Sequence, residues 1–278
     1  MILNSYSKVN LSLIINKKLN NGLHDVQTHF CLINLFDKIQ IYKIDKKKDN
    51  IRFKGKFAKD VKNSNNSIKS LLILLRRYNL ISSFYKVIIY KNIPVYSGLG
   101  GGTSNAVSIC NHLTKLKFST KIFRKIEKKI GSDFKLFLYN QGFLKNLKTA
   151  IYLKKKYKLS FLLIYPNIKC STKKIYSEVK TYSKKIKFSH DALKNKKNFI
   201  NYISKSQNDL QSIVEKKYPL IEKILKKIAI QKGCIFSRIS GSGSVCYGLF
   251  SSDKSAKVAL KNIKKEYPKF FLTVAKTI

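Results

Sequence analysis

Four glycines fall within five residues in the run Ile93-Pro94-Val95-Tyr96-Ser97-Gly98-Leu99-Gly100-Gly101-Gly102-Thr103-Ser104-Asn105. Backbone N–H groups can approach a phosphate closely where no Cβ intrudes. After the run, Ala106, Ile109, Cys110, Leu113 and Leu116 recur at i, i+3, i+4, i+7 and i+10, the apolar stripe of an amphipathic helix. A helix that starts where the glycines end adds partial positive charge at the same place, so strand, glycine turn and helix together make an anion site. No Gly-Lys-[Ser/Thr] is present, which excludes a Walker A loop. Gly98 and Gly100 lack a third glycine three residues on, which excludes the dinucleotide-binding fingerprint. A plain turn would need only a cap such as Thr103 or Ser104, and four glycines exceed that need.

A second pair stands near the N-terminus. Residues 6–15 read as one strand, with Ser7, Val9, Leu11, Leu13 and Ile15 alternating with Tyr6, Lys8, Asn10 and Ser12. Alternation puts Lys8 and Asn10 on one face, about 7 Å apart. A cation and an amide side by side in an otherwise alternating strand set Lys8 apart from the lysines of a solvated surface.

Pattern also gives the scaffold around these groups. Asn20-Asn21-Gly22 marks a turn; strands are expected at 26–35 and 38–44, and a polar turn at 45–50. The polar stretch 63–66 can cap a helix carrying Leu71, Leu72, Leu74, Leu75 and Tyr78. A strand at 84–91 leads into the glycine run, and Ile122, Ile126 and Ile130 give a short helix ending at Gly131. Past residue 152 the pattern restarts. A strand at 159–165 ends at Pro166, and helices are expected at 171–180 and 207–217. Pro219 suits the first turn of another helix, with Leu220, Ile221, Ile224, Leu225 and Ile228 on one face. Strands at 235–239 and 245–250, joined by Ser240-Gly241-Ser242-Gly243-Ser244, precede a last helix and strand. This order predicts a ferredoxin-like half, and the whole an α+β fold of two lobes, residues 1–152 and 153–278.

Composition narrows the function. The chain has 278 residues, 44% hydrophobic and 12% aromatic, enough to build buried cores. Its longest apolar runs, such as 71–75 and 161–165, fall far short of the roughly 20 residues a membrane span needs. The N-terminus lacks a basic stretch followed by an apolar one, so a soluble, cytoplasmic protein is expected. The net charge of +43 first suggests nucleic acid. Yet only five of the 57 basic residues are Arg, the residue suited to bidentate reading of phosphates and bases. The lysines are spread along the whole chain, and Ile, Asn and Lys share A/T-rich codons. A solvated surface shaped by genome composition is favoured, and a basic RNA-binding protein is the alternative. Cys31, Cys110, Cys170, Cys234 and Cys246 show no C-x-x-C spacing and read as buried free thiols. His24, His29, His112 and His190 make no metal-binding pattern, so no side-chain metal site is expected.

The run from Pro94 through Gly98-Leu99-Gly100-Gly101-Gly102-Thr103-Ser104-Asn105-Ala106 resembles the phosphate-binding loop of the GHMP kinases. It is most similar to that of the 4-diphosphocytidyl-2-C-methyl-D-erythritol kinases. Ser7-Lys8-Val9-Asn10-Leu11, Asn21-Gly22-Leu23-His24, Gly131-Ser132-Asp133, Asn208-Asp209-Leu210 and Ser240-Gly241-Ser242-Gly243 resemble further motifs of that family, in its order, over nearly the whole chain. The resemblance implies a ribosomal-protein S5 domain 2-like N-terminal lobe and a ferredoxin-like C-terminal lobe. It implies transfer of a phosphoryl group from ATP, with Mg²⁺ on its phosphates, to the 2-hydroxyl of a cytidine-diphosphate-linked methylerythritol. Asp133 would activate that hydroxyl and Lys8 support its charge, with Asn10 beside the substrate. His24 would hydrogen-bond the cytosine, Tyr176 stack on it, and Phe30 line the pocket. Pro94, Gly98, Leu99, Gly100, Gly101, Gly102, Thr103 and Ser104 would hold the phosphates, and Asn66 and Lys91 border the adenine. Homoserine or mevalonate kinase is the alternative within the superfamily, disfavoured by His24 and by the Gly-Gly-Gly-Thr-Ser-Asn run. Three features depart from the family: Leu23 stands where a tyrosine is usual, Lys135 where a proline is, and the segment 142–148 lacks the later glycines.

Overall fold

The computed structural model describes residues 1–61, 66–153, 155–189 and 193–278. In chain order its elements are β1 (Ile2–Asn10), β2 (Ile14–Lys18), β3 (His24–Ile44), β4 (Asn50–Lys54), α1 (Ser67–Arg77), β5 (Phe84–Tyr90), α2 (Gly101–Thr114), α3 (Thr120–Ile130), β6 (Gln141–Asn146), β7 (Thr149–Tyr152), β8 (Ser160–Tyr165), α4 (Thr172–Ser177), α5 (Lys196–Ser204), α6 (Gln211–Lys217), α7 (Pro219–Ala229), β9 (Cys234–Ile239), β10 (Cys246–Phe250), α8 (Asp253–Glu266) and β11 (Phe271–Lys276). They form two compact units whose segments interleave. The first comprises Met1–Ser7, Leu35–Val95 and Gly100–Leu138; the second comprises Lys8–Asn34, Tyr96–Leu99 and Tyr139–Ile278.

In the first unit, β4 runs parallel to β5, and β5 runs antiparallel to the C-terminal half of β3, with Lys38 opposite Tyr90. Ile39, Ile41, Val87 and Ile89 turn to one side of this sheet. There they pack with Ile68, Leu71, Leu72 and Leu75 of α1 and Ala106, Val107, Ile109 and Cys110 of α2. Burying each Leu or Ile contributes about 1.5–3 kcal/mol, which is what fixes these helices on the sheet. Asn66 starts α1 by accepting a hydrogen bond from Lys69 N at 3.0 Å. Ser119 starts α3, and Gly131 ends it.

In the second unit, β2 and β6 pair antiparallel with the N-terminal half of β3, and β7 pairs with β6. A separate four-stranded sheet has the order β11-β8-β10-β9, antiparallel throughout, as the ferredoxin-like expectation requires. Its central strands β8 and β10 are buried on both faces, so Phe161 to Tyr165 and Cys246 to Phe250 show no alternation. Ile221, Ile224, Leu225 and Ile228 of α7 and Ala256, Ala259 and Ile263 of α8 are the buried stripes of the unit's helices. His29 lies in this unit's interior, its ring 4.5 Å from that of Phe143, and burial holds its pKa down at about 3.

Several elements differ from expectation. The strand foreseen over 6–15 is broken after Asn10. Leu11 N and Ser12 N both donate to His29 O, at 2.7 and 3.4 Å, so two residues face one before β2 begins. The strands foreseen at 26–35 and 38–44 are one continuous β3, because the charge of Asp37 in its middle is met by partners inside the unit. The helix foreseen from 207 starts at Gln211. Asn208 accepts from Leu210 N at 3.0 Å and donates to Ile239 O and Gly241 O, which holds 207–210 as a turn. Strands β4, β6 and β7 and helix α5 carry too weak a pattern to be foreseen. Of the polar stretch 63–66 only Asn66, and of the four histidines all but His190, lie among the described residues. Cys31, Cys110, Cys170 and Cys246 are buried free thiols, and Cys234 is half-buried. Among the described residues no helix is long and apolar enough to cross a membrane.

Candidate active site

In the second unit, the end of β1 brings Lys8 and Asn10 together. Both are buried, and Lys8 Nζ donates to Asn10 Oδ1, so the two do share a face. Asn10 Nδ2 donates to Thr28 Oγ1 at 2.9 Å, which aims its carbonyl oxygen toward the lysine. Asn10 N donates to Ser240 Oγ at 3.2 Å, Ser240 Oγ donates to Gly98 O at 3.1 Å, and Lys8 N donates to Leu99 O at 3.1 Å. The two glycine turns therefore meet on the end of β1. Gly98 has φ +79°, and a Cβ there would lie 2.0 Å from Ser240 O. Gly241 has φ +56°, and its Cβ would lie 3.0 Å from Asn10 Oδ1 and 3.3 Å from Lys8 Nζ. Ser240, Gly241 and Asn208 belong to motifs singled out in the sequence, but nothing in their local pattern says that they pack on Lys8 and Asn10.

In the first unit, α2 begins at Gly101 with Gly100 as its cap. No side chain caps it, and no acidic residue sits in its first turn. Its leading N–H groups thus keep their partial positive charge for another acceptor. Gly102 is exposed; its carbonyl accepts from Ser67 Oγ at 2.9 Å, next to Asn66, the cap of α1. Ser104 does not cap the helix: its hydroxyl is 2.7 Å from Ser5 Oγ and donates to Tyr6 O. Thr103 and Pro94 flank the turn within the same unit. The Lys91 ammonium is buried, pairs with Asp37 and donates to Asn105 Oδ1 at 3.0 Å. Burial pushes its pKa down, and the Asp37 carboxylate opposes that shift. Its charge is thus directed inside the unit.

Asp133 follows Gly131 and is half-buried. Its carbonyl accepts from Leu136 N at 3.0 Å, and the fully buried Phe134 and Leu136 anchor the short turn that it opens. Lys135, where the family carries proline, is 3.1 Å from Glu127 Oε1.

The second unit also brings His24 and Tyr176 together, their ring centroids 5.3 Å apart. Burial, and then the nearby charge of Lys18, lower the His24 pKa, so its imidazole is neutral at pH 7. A residue that the sequence does not single out joins them. Tyr182, 45% exposed, has its ring 6.3 Å from that of His24. It sits on an irregular segment tied down by Ser183 N to Ile15 O at 2.8 Å and by Gln27, which both donates to and accepts from the Ile186 backbone. No local signal marks it. Leu23 is 47% exposed, and Phe30 is buried beside Gly142 of β6.

Known proteins share this architecture. The GHMP kinases N terminal domain family matches residues 66–136, and the GHMP kinases C terminal family matches residues 189–269. A crystal structure of 4-(cytidine 5'-diphospho)-2C-methyl-D-erythritol kinase superimposes with a TM-score of 0.74 at 17% identity, covering 99% of both chains. The fold is the two-lobed α+β fold of the GHMP kinases. A protein of Pelagibacter ubique (strain HTCC1062) named 4-diphosphocytidyl-2-C-methyl-D-erythritol kinase is 32% identical over 287 residues, 99% of this chain and 98% of its own. One of the same name from Wolbachia pipientis wMel is 30% identical over 276 residues, 96% and 94% of the two chains. The chain belongs to the 4-diphosphocytidyl-2-C-methyl-D-erythritol kinase family.

Proposed function

We propose that the chain is an ATP-dependent kinase that phosphorylates the 2-hydroxyl of 4-diphosphocytidyl-2-C-methyl-D-erythritol in the cytoplasm, within isoprenoid biosynthesis. The observation that carries this is family membership over nearly the whole chain, joined to a glycine turn that opens a helix with no side-chain cap. Phosphoryl transfer needs a cradle for the phosphates, a base for the hydroxyl and positive charge near the developing anion. In this reading Gly98 to Ser104, with Pro94, form the cradle, and Asn66 and Lys91 border the adenine, Lys91 by its position rather than its charge. Asp133 takes the proton of the 2-hydroxyl. The hydroxyl oxygen bonds to the γ-phosphorus as the bond to the β–γ bridging oxygen breaks, and ADP leaves. Lys8, with Asn10, supports the charge on the oxygen. His24 hydrogen-bonds the cytosine, Tyr176 stacks on it and Phe30 backs the pocket. The lobes, residues 1–152 and 153–278, divide the chain by order, and one family match falls in each.

No group of three His, Cys, Asp or Glu side chains that could hold a metal occurs among the described residues. A Mg²⁺ would there be carried on the phosphates themselves, and the Thr103 hydroxyl, in the first turn of α2, would be an oxygen donor available to it. Bound there, the ion would neutralise phosphate charge.

Asp133→Asn tests the reading. Turnover in a coupled ADP-release assay should fall by about 10²–10⁴ with little change in ATP affinity. The wild type should prefer the cytidine substrate over homoserine and mevalonate. Near-wild-type turnover in the variant would remove Asp133 as the base. A nucleic-acid-binding role predicts instead an affinity for RNA that falls steeply with salt and ignores Asp133.

A further inference from the structure

A sealed polar cluster lies inside the first unit. Asp37 is fully buried and Lys91 is 3% exposed, and Ser5, Ser104 and Asn105 are buried with them. Asp37 Oδ1 accepts from Asn92 N at 2.7 Å and Ile93 N at 2.9 Å, the residues just before Pro94. Asp37 Oδ2 accepts from Lys91 Nζ and, at 3.0 Å, from Asn105 Nδ2, just after Ser104. Asn105 Nδ2 also lies 2.9 Å from Ser5 Oγ, which meets Ser104 Oγ at 2.7 Å. One carboxylate thus grips the chain where it enters the glycine run and again where it leaves.

Stability does not explain such an arrangement. A buried ion pair is often matched or bettered by apolar side chains of the same volume. What the pair supplies is geometry, because a charged acceptor with four donors has one arrangement that satisfies them all. We propose that Asp37, its charge balanced by Lys91, is a positioning residue for nucleotide binding. It fixes both ends of the glycine run, so that the leading N–H groups of α2 are aimed before the phosphates arrive. This rests on the reading of that run as the phosphate cradle. Preorganising a site in this way avoids the ordering cost at the moment of binding.

Asp37→Asn tests it. The amide oxygen can still accept from Asn92 N and Ile93 N, but its NH₂ group then faces the donors of Lys91 and Asn105. The dissociation constant of a non-hydrolysable ATP analogue should rise about tenfold or more, since small misplacements in such sites are costly. That of the cytidine substrate alone should stay within about twofold of wild type. A lowered Tm with both constants unchanged, or moved alike, would mean that the cluster only stabilises the fold and would overturn the proposal. Should Asp37→Asn fail to fold, Ser5→Ala decides by the same criterion, with a rise of about threefold expected because only the Asn105 and Ser104 side is loosened. Gly102→Ala separates the two ideas. If it leaves analogue affinity intact, the cradle reading fails and takes this proposal with it. If it weakens the analogue while Asp37→Asn does not, only the positioning role fails.

Discussion

The glycine run at 98–102 leads from a strand into α2, whereas Ser240-Gly241-Ser242-Gly243 joins two antiparallel strands, β9 and β10. Gly98 and Gly241 answer to the protein's own packing: a Cβ on either would meet backbone or polar atoms at 3.0 Å or less. Gly102 answers to nothing comparable, since a Cβ there would meet only Ser67 Oγ, at 3.7 Å. In the proposed function, Gly102 is the glycine left open for the phosphates that approach from outside. Glycines of one run therefore differ in kind: Gly98 is required by packing, as Gly241 is in the other turn, whereas Gly102 at the start of α2 is not.

The largest expected effect tests the packing half of this comparison. Gly98→Ala should destabilise by about 4 kcal/mol or more, since it combines a positive φ with a clash against the Ser240 carbonyl. Thermal unfolding should show a Tm drop of about 10 °C, and a Tm within a degree of wild type would break the comparison. Gly241→Ala is expected to act next most strongly. Strain at its φ should cost about 1–2 kcal/mol. The methyl should also push Lys8 and Asn10 aside, lowering kcat about tenfold while the KM for ATP holds. A variant that loses ATP affinity but keeps its kcat would show that the second turn, too, meets the nucleotide. Gly102→Ala should be the mildest and the most discriminating. Alanine is the better helix former by up to about 1 kcal/mol, so Tm should hold or rise slightly. ATP affinity should nonetheless fall about tenfold. Stability and affinity moving in opposite directions would sharpen the comparison, and both falling together would dissolve it.

Some of this was legible in the sequence. The glycine run, the apolar stripe behind it as far as Leu113 and the stripe of α7 are local patterns that the folded chain has where periodicity puts them. Leu116 lies beyond the helix, which ends at Thr114 with Lys115 in a left-handed cap. The ferredoxin-like sheet was legible because its central strands are short apolar runs bounded by turns. What stayed hidden depends on partners distant in the chain. Asp37 looked like a break between two strands because the lysine that neutralises it is 54 residues away. Asn10 looked like mid-strand because the doubled bond to His29 O is a tertiary matter. Lys8 and Asn10 were found by alternation, but the turn at 240–243 that backs them arrives from the far end of the chain. Tyr182 could not be found, since only the ties of its segment to Ile15 and Gln27 bring it to His24.

The cysteines have a use that catalysis does not exhaust. Burial raises the pKa of each thiol, to about 11 for Cys110, Cys170 and Cys234 and well above the ordinary range for Cys31 and Cys246. At pH 7 a thiol of pKa 11 is thiolate only about one part in 10⁴, so an alkylating reagent must wait for the surroundings to open. Cys110 reports on the first unit, and Cys31, Cys170, Cys234 and Cys246 on the second. Peptide-resolved labelling over hours would therefore time the fluctuations of each unit separately, with the half-buried Cys234 marking before the fully buried Cys31 and Cys246.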